Sequence, residues 1–340
     1  MSQTTLTIAA LNQIVTEIFL NAGLSAQQAE AVAAVIVAGE RDGCKSHGIY
    51  RIDGNLRTLA AGKVQPQAVP QLNDDGSGVI RVAAYGGFSP AAFALGAPVL
   101  AERAKKLGIA AMVINDCTHF SALWPEIEVL TDAGLAAMAM CPSYATVAPS
   151  GGIAALLGTN PFAFGWPRPG GNPYVFDFAT SIAARGEVEL HRIAGKPLPE
   201  GWAVDRDGNP TTDPTAALQG ALLPFGGHKG SAISTMIELL AGVMIGDLTS
   251  PEALKSLGSA ELLPHHGELI IALSPERFAA GRPGDPFARA EVLFEAIAGQ
   301  GARLPSQRRF AARRQSEAEG ITLSAEEMAG LEKRRANPFG

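Results

Sequence analysis

Apolar positions in the first forty residues recur with helical spacing. "GLSAQQAEAVAAVIVAGERDG" reads as a helix, with Ser25 and Gln28 as a capping box at its start and Gly43 as the glycine just past its end. Strict alternation takes over around Val79 to Val82 in "SGVIRVAAYGG", which predicts a strand, and "SPAAFALGAPVLAERAKKLG" returns to a helical period. From Ile109 the pattern changes again. "GIAAMVIND", "GLAAMAMCPS", "NPFAFGWP" and "YVFDFATS" are short, largely apolar runs separated by Gly, Pro and Asn, as for strands buried in one sheet. "HKGSAISTMIELLAGVMIG" predicts a helix apolar on most faces, "GELIIALSP" another buried strand, and three charged helical stretches end the chain. "DRDGNPTTDP", Asp205 to Pro214, has the content of a surface turn. An α+β opening followed by a strand-rich second lobe is the expectation.

Composition narrows the class. A chain of 340 residues with 47% hydrophobic and 18% charged residues suits a two-lobed α/β enzyme rather than a disordered or fibrous protein. Net charge is -6 and no block of like charge precedes Arg308, which argues against a nucleic-acid partner. Cys44, Cys117 and Cys141 are odd in number and lack CxxC spacing, so reduced thiols are expected, with no disulfide framework and no metal. The N-terminus has no basic leader and no run reaches the ~20 apolar residues that span a bilayer, giving the expectation of a soluble cytoplasmic protein without membrane contact. Neither GxGxxG nor GxxxxGK[ST] follows a strand, so any nucleotide would be held by another geometry.

Five clusters carry candidate chemistry. In "RDGCKSHGIYR" a helix starting near Ser46 would put His47 and Arg51 on one face, a proton donor beside a clamp for a small carboxylate; the alternative is Ser46 as an N-cap and His47 as packing. "CTHFSALWP" follows a strand and could offer free backbone N–H groups to a phosphate, or Ser121 could cap a helix over a buried His119. Thr159 and Asn160 form a turn that could face a ligand, and Asp177 sits in a run apolar enough to need a buried partner. "PFGGHKGSAI" places Lys229 at a helix start, and "RLPSQRR" is a basic loop suited to a 2′-phosphate or a charged surface.

Together and in this order, "RDGCKSHGIYRI", "HFSALWP", "LGTNPFAF", "VFDFATS", "LPEGWAVDRDGNPTTDP", "LLPFGGHKGSA" and "GELIIALSP" closely resemble the malate/L-lactate dehydrogenase type 2 family of NAD(P)-dependent oxidoreductases. The resemblance is nearest to its branch of cyclic imino acid reductases, which take Δ1-piperideine-2-carboxylate to L-pipecolate and Δ1-pyrroline-2-carboxylate to L-proline.

It implies a two-lobed, non-Rossmann α/β fold with a mixed sheet in the central lobe: residues 1–115 with 285–340 as the substrate lobe and 116–284 as the cofactor lobe. It also implies a homodimer and NADPH, with NADH as the alternative. His47 becomes the proton donor, Ser46 and Glu187 its relay partners, and Arg51 the carboxylate clamp, with Thr159, Arg185 and Gly186 near the substrate. Cofactor contacts fall on His119, Phe120, Ser121, Ala122 and Leu123, on Asp177, Phe178 and Ala179, and on His228, Lys229 and Gly230. A last set comprises Arg303, Leu304, Pro305, Ser306, Gln307, Arg308 and Arg309. An acid at Glu187, where malate-like relatives tend to carry Lys, favours the imino acid branch over a 2-keto acid reductase or 2-hydroxy acid dehydrogenase, because it would help keep His47 protonated.

Overall fold

The computed structural model describes residues 3–340. Its helices are α1 (Ile8–Asn21), α2 (Ala26–Arg41), α3 (Arg51–Ala60), α4 (Ser89–Leu107), α5 (Trp124–Asp132), α6 (Arg185–Ile193), α7 (Pro214–Gln219), α8 (His228–Glu238), α9 (Ser250–Leu257), α10 (Pro275–Phe278), α11 (Pro286–Gly299), α12 (Gln307–Glu319) and α13 (Ala325–Ala336). Its strands are β1 (Gln3–Leu6), β2 (Gln71–Asn73), β3 (Val79–Ala83), β4 (Ile109–Thr118), β5 (Ala136–Met140), β6 (Phe162–Trp166), β7 (Tyr174–Phe178), β8 (Ala203–Val204), β9 (Pro210–Thr211), β10 (Ala221–Leu222), β11 (His265–Leu273) and β12 (Ile321–Ser324).

The central sheet has seven strands in the order β2-β3-β4-β11-β5-β6-β7. Only β3 and β4 run parallel, joined by α4 as the crossover helix; every other neighbouring pair is antiparallel. β3 keeps the predicted alternation, whereas β4, β5 and β11 lack it because both of their faces are covered. Ile80, Met112, Ile114, Ala137 and Ile270 pack with α4 and α5 on one side, and Val113, Met140 and Leu269 with Ile237, Ala241 and Ile245 on the other. Gly96 lets α4 lie flat on the sheet: a Cβ there would stand 2.2 Å from Met112 Sδ.

A second core joins the chain ends. β1 pairs antiparallel with β12, and α1, α2, α3 and α13 bury Leu11, Phe19, Ile36, Leu56, Leu323 and Leu331 together. A third, smaller core gathers Val147, Leu157, Val188, Leu198 and Leu222 near α6, α7 and the short β10-β8-β9 sheet.

Three expectations differ in detail. A boundary at residue 115 cuts through the sheet, because β2 and β3 pair beside β4, and α11, assigned to the first lobe, leans on the β6–β7 edge, where Phe294 stacks on Tyr174 at 5.2 Å. Gln28 does not close a capping box. Ser25 accepts from its N–H, but its buried amide donates to the carbonyls of Gln65 (3.1 Å) and Ala68 (3.0 Å) and accepts from the Phe88 N–H (2.9 Å), stapling the linker to α2. No helix starts at Ser46 either: Lys45–His47 make one 3-10 turn, Gly48 takes ψ -142° and breaks it, and α3 begins at Arg51.

Candidate active site

An open cleft of about 2260 Å³ runs between the chain-end core and the central sheet. Its chemistry sits in the turn after α2, which is moored from three sides. Gly39 allows the His47 backbone to lie on the helix, since a Cβ there would come 2.4 Å from the His47 carbonyl oxygen, and a Cβ at Gly48 would meet Glu40 Oε1 at 2.1 Å. Buried Glu40 accepts from the Ile49 N–H at 2.9 Å and pairs with Lys45. Asp42, at the end of α2, accepts from Arg41 (2.7 Å), Arg309 (2.9 Å), Arg313 (2.9 Å) and the Trp124 indole (3.1 Å). Burial pushes the Asp42 carboxyl up, but the Arg313 and Arg41 guanidiniums outweigh it and hold it at about 2.

His47 and Arg51 therefore meet across a broken helix. Arg51 donates to His47 Nε2 at 3.4 Å, and Ser46 Oγ lies 3.1 Å from His47 Nδ1. Arginine has no acceptor, so the imidazole carries its proton on Nδ1 and gives it to Ser46. Burial, and then the neighbouring Arg51 charge, lowers the His47 pKa to about 3, so the ring is neutral at pH 7. Arg51 itself is half-buried, its Nε sealed from solvent without an acceptor, and among the described residues it forms no ion pair. Desolvation lowers its pKa. A partly desolvated cation with no counter-ion, facing a cleft, is a site for an anion. Tyr50 and Tyr144 line the same wall, and burial pushes the Tyr144 hydroxyl up.

Most of the other expected residues also line this cleft: His119, Phe120, Ser121 and Ala122, Asp177, Phe178 and Ala179, Thr159, Arg185 and Gly186, and the whole loop from Arg303 to Arg309. Their local roles differ from the expectation in several places. The N–H groups of Leu123 and Trp124 are not free for phosphate; they donate to Asp177 Oδ2 at 2.8 and 3.1 Å, which gives the half-buried carboxylate its partner. Burial nonetheless raises Asp177 to about 6. Leu123 packs in the core. Asn160 faces no ligand: its buried amide ties Ser143, Ser234, Glu238 and Ser250 together. Arg309 is spent on Asp42 and Glu128, leaving Arg303 and Arg308 as the exposed cations of the loop.

Two groups do not reach the cleft. Glu187, third residue of α6, points to solvent and has no hydrogen bond to His47 among the described residues, so it does not hold that ring protonated. His228 and Lys229 stand exposed at the start of α8, away from the cleft lining, while Gly230 serves packing, with a Cβ there only 2.1 Å from the Phe225 carbonyl oxygen.

Sequence reading missed Asp42, Tyr50, Tyr144 and Trp124. Asp42 carried a signal, an acid next to Arg41 at a helix end, but its partners Arg309 and Arg313 are more than 260 positions away. The three cysteines are free; burial pushes Cys44, on the cleft, up to about 11, which leaves it a poor nucleophile.

The chain is 72% identical over 331 residues to Delta(1)-pyrroline-2-carboxylate reductase of Agrobacterium fabrum, covering 97% of this chain and 96% of the relative. It is 55% identical to the Delta(1)-pyrroline-2-carboxylate/Delta(1)-piperideine-2-carboxylate reductase of Pseudomonas aeruginosa, over 94% and 95% of the two chains. The crystal structure of delta1-piperideine-2-carboxylate reductase from Pseudomonas syringae superposes with a TM-score of 0.93 at 41% identity, covering 97% of this chain and 99% of that one. The family described as Malate/L-lactate dehydrogenase matches residues 6–332. By sequence over residues 6–332, this chain belongs to the malate/L-lactate dehydrogenase family.

Proposed function

We propose that the protein is an NADPH-dependent reductase of cyclic imino acids, converting Δ1-piperideine-2-carboxylate to L-pipecolate and Δ1-pyrroline-2-carboxylate to L-proline. The observation that carries this reading is the unpaired Arg51 guanidinium 3.4 Å from His47. It matches a substrate whose carboxylate lies one bond from the carbon to be reduced and two from a nitrogen that takes a proton. The relatives named above act on such compounds.

The cleft fits a nicotinamide dinucleotide. Ser121 Oγ lines it, is sealed from solvent and lacks a partner, and Arg303 and Arg308 offer exposed charge for a 2′-phosphate. When bound, the reduced nicotinamide supplies the hydride. Arg51 binds and orients the substrate carboxylate. That carboxylate offsets the Arg51 charge, which after burial is the second cause of the low His47 pKa, so substrate binding moves the histidine pKa upward and favours the protonated ring. Ser46 fixes the tautomer and orientation, and His47 then passes the proton to the substrate nitrogen. Activation on binding replaces the role expected of Glu187. Exposed apolar side chains such as Ile153 and Ile193, each 66% exposed, and Met244, 60% exposed, support assembly as a homodimer. Among the described residues, no helix is long and apolar enough to cross a membrane.

Following NADPH absorbance against the two cyclic imines, pyruvate and oxaloacetate, and repeating each with NADH, tests the assignment. Turnover confined to the imines is the expected result. Turnover of the keto acids alone would instead make the enzyme a 2-keto acid reductase with the same Arg51 clamp.

A further inference from the structure

Behind the cleft wall lies a sealed polar cluster that the reaction scheme above does not use. Glu126 on α5 is 2% exposed and Glu268 on β11 is 0% exposed. All four of their carboxyl oxygens are closed off from solvent without a hydrogen-bond partner. His119, just after β4, touches both the cluster and the cleft. Its ring lines the cleft, while its sealed Nε2 stands 3.7 Å from Glu268 Oε1, also without a partner. The other ring nitrogen, Nδ1, is not sealed.

The protons in this cluster can be placed by elimination. Two carboxylates in contact in a dry interior cannot both ionise, and one proton between them gives each a partner. Burial raises both acids. The neighbouring Glu268 charge and the hydrogen bond between the two push Glu126 up further, whereas that same bond lowers Glu268, so the proton stays on Glu126 and the charge on Glu268. His266, its ring 5.7 Å from that of His119, supplies no proton either. Burial holds it neutral at about 4, and its Nδ1 lies 2.8 Å from the Gly267 carbonyl, which only accepts, so its sealed Nε2 is bare. That bare nitrogen is the acceptor available to the Cys141 thiol, which burial keeps protonated. His119 Nε2 therefore faces acceptors. Burial, then His266, Arg51 and His47, keep the His119 ring neutral, and its one proton belongs on Nε2.

We propose that Glu268 is a positioning residue: accepting from the Nε2–H, it locks His119 in the tautomer whose bare Nδ1 takes a hydrogen bond from the carboxamide N–H of a nicotinamide bound in the cleft. The inference rests on the reductase reading above, through its dinucleotide. His119 feels the charges of Arg51 and His47, so it stands at the end of the cleft where hydride is delivered, and the carboxamide rather than the adenine amine is the donor it meets. An oriented carboxamide limits rotation of the nicotinamide ring and helps decide which face of C4 meets the substrate. The 3.7 Å contact is longer than a hydrogen bond in the ligand-free site and contracts when the ligand binds, as such contacts commonly do.

Two measurements test the lock. Nitrogen NMR of ligand-free protein with isotope-labelled histidines reads the tautomer, with His119→Gln used to assign the signal. Binding calorimetry compares NADPH with its reduced acetylpyridine analogue, which has no carboxamide N–H. Wild type should show His119 protonated at Nε2 and bare at Nδ1, and should bind the analogue roughly tenfold more weakly than NADPH, the worth of one hydrogen bond. The two Gln variants then separate the acids. Glu126→Gln keeps an N–H donor toward a charged Glu268, so tautomer and cofactor preference persist. Glu268→Gln puts an amide donor beside Nε2, so the tautomer shifts toward Nδ1–H and the preference for NADPH shrinks to within about twofold. A merely structural role for the acids would move both variants alike.

The proposal falls if wild-type His119 carries a proton on Nδ1, if the two Gln variants behave alike, or if wild type binds the analogue as tightly as NADPH. The spectrum and the calorimetry need no imine, so a protein that passes both yet reduces no cyclic imine would overturn the reductase reading instead.

Discussion

At the scale of single residues the site is defined by one conflict: Arg51 is costly to the folded protein and necessary to the ligand. Its sealed Nε has no acceptor, so Arg51→Leu should stabilise the chain by on the order of 1 kcal/mol while removing the carboxylate clamp. The expected outcome is a higher Tm together with a KM raised roughly ten- to a hundredfold, the worth of charge-assisted hydrogen bonds. An unchanged KM would take Arg51 out of the substrate site. His47 gives the complementary prediction: His47→Ala should lower kcat roughly 10²-fold or more, with cofactor binding unchanged by fluorescence titration. The four-residue spacing in "SHGIYR" drew attention to both residues, but on the premise of one helix from Ser46, which the structure replaces with a 3-10 turn broken at Gly48. What the sequence could not show is that no carboxylate stands beside the imidazole: Glu187 is near in the motif pattern, yet α6 turns it to solvent, so His47 rests neutral.

Elements explain why those two side chains meet at all. α2 ends against the His47 backbone, and Gly39 is what permits the approach. Alanine at that position suits a helix better by about 0.5–1 kcal/mol, so Gly39→Ala should keep its helix while pushing His47 away; kcat falls as far-UV circular dichroism stays constant. Asp42 locks the same turn to α5 and α12. Removing its charge in Asp42→Asn leaves Arg309 and Arg313 undercompensated, a loss of roughly 3 kcal/mol measurable by denaturant unfolding. The pH dependence has a definite sign. The Asp42 carboxyl is depressed from 3.8 to about 2, so its contribution is present above pH 4 and is lost as pH falls toward 2. Asp42→Asn should flatten that part of the stability curve. The helix itself was legible from its period and its Ser25 cap. Gln28 was misread because its partners, Gln65, Ala68 and Phe88, are contributed by distant segments, and local spacing does not encode them.

At the scale of the whole molecule, buried strands announced the sheet but not its order. Apolar runs on both faces say that a strand is covered; they do not say that β11, over a hundred residues downstream, inserts between β4 and β5. That insertion seats His266 and Glu268 behind the cleft, so the buried acid pair was invisible to any local motif. The loop to which we assign cofactor choice is likewise shaped by contacts far apart in sequence. The loop from Arg303 to Arg309 read as uniformly basic, yet the fold divides it: Ser306 anchors to the Val175 carbonyl at 2.6 Å and Arg309 turns inward to Asp42, whereas Arg303 and Arg308 stay exposed on the cleft. Within the loop, those two are the cations left for the 2′-phosphate of the proposed NADPH. Because the phosphate is the sole difference between the two dinucleotides, Arg303→Ala/Arg308→Ala should raise the KM for NADPH roughly tenfold or more, leave the KM for NADH within about twofold, and weaken the salt dependence of NADPH binding. Equal losses for both cofactors would place the 2′-phosphate elsewhere and give this loop a purely structural role.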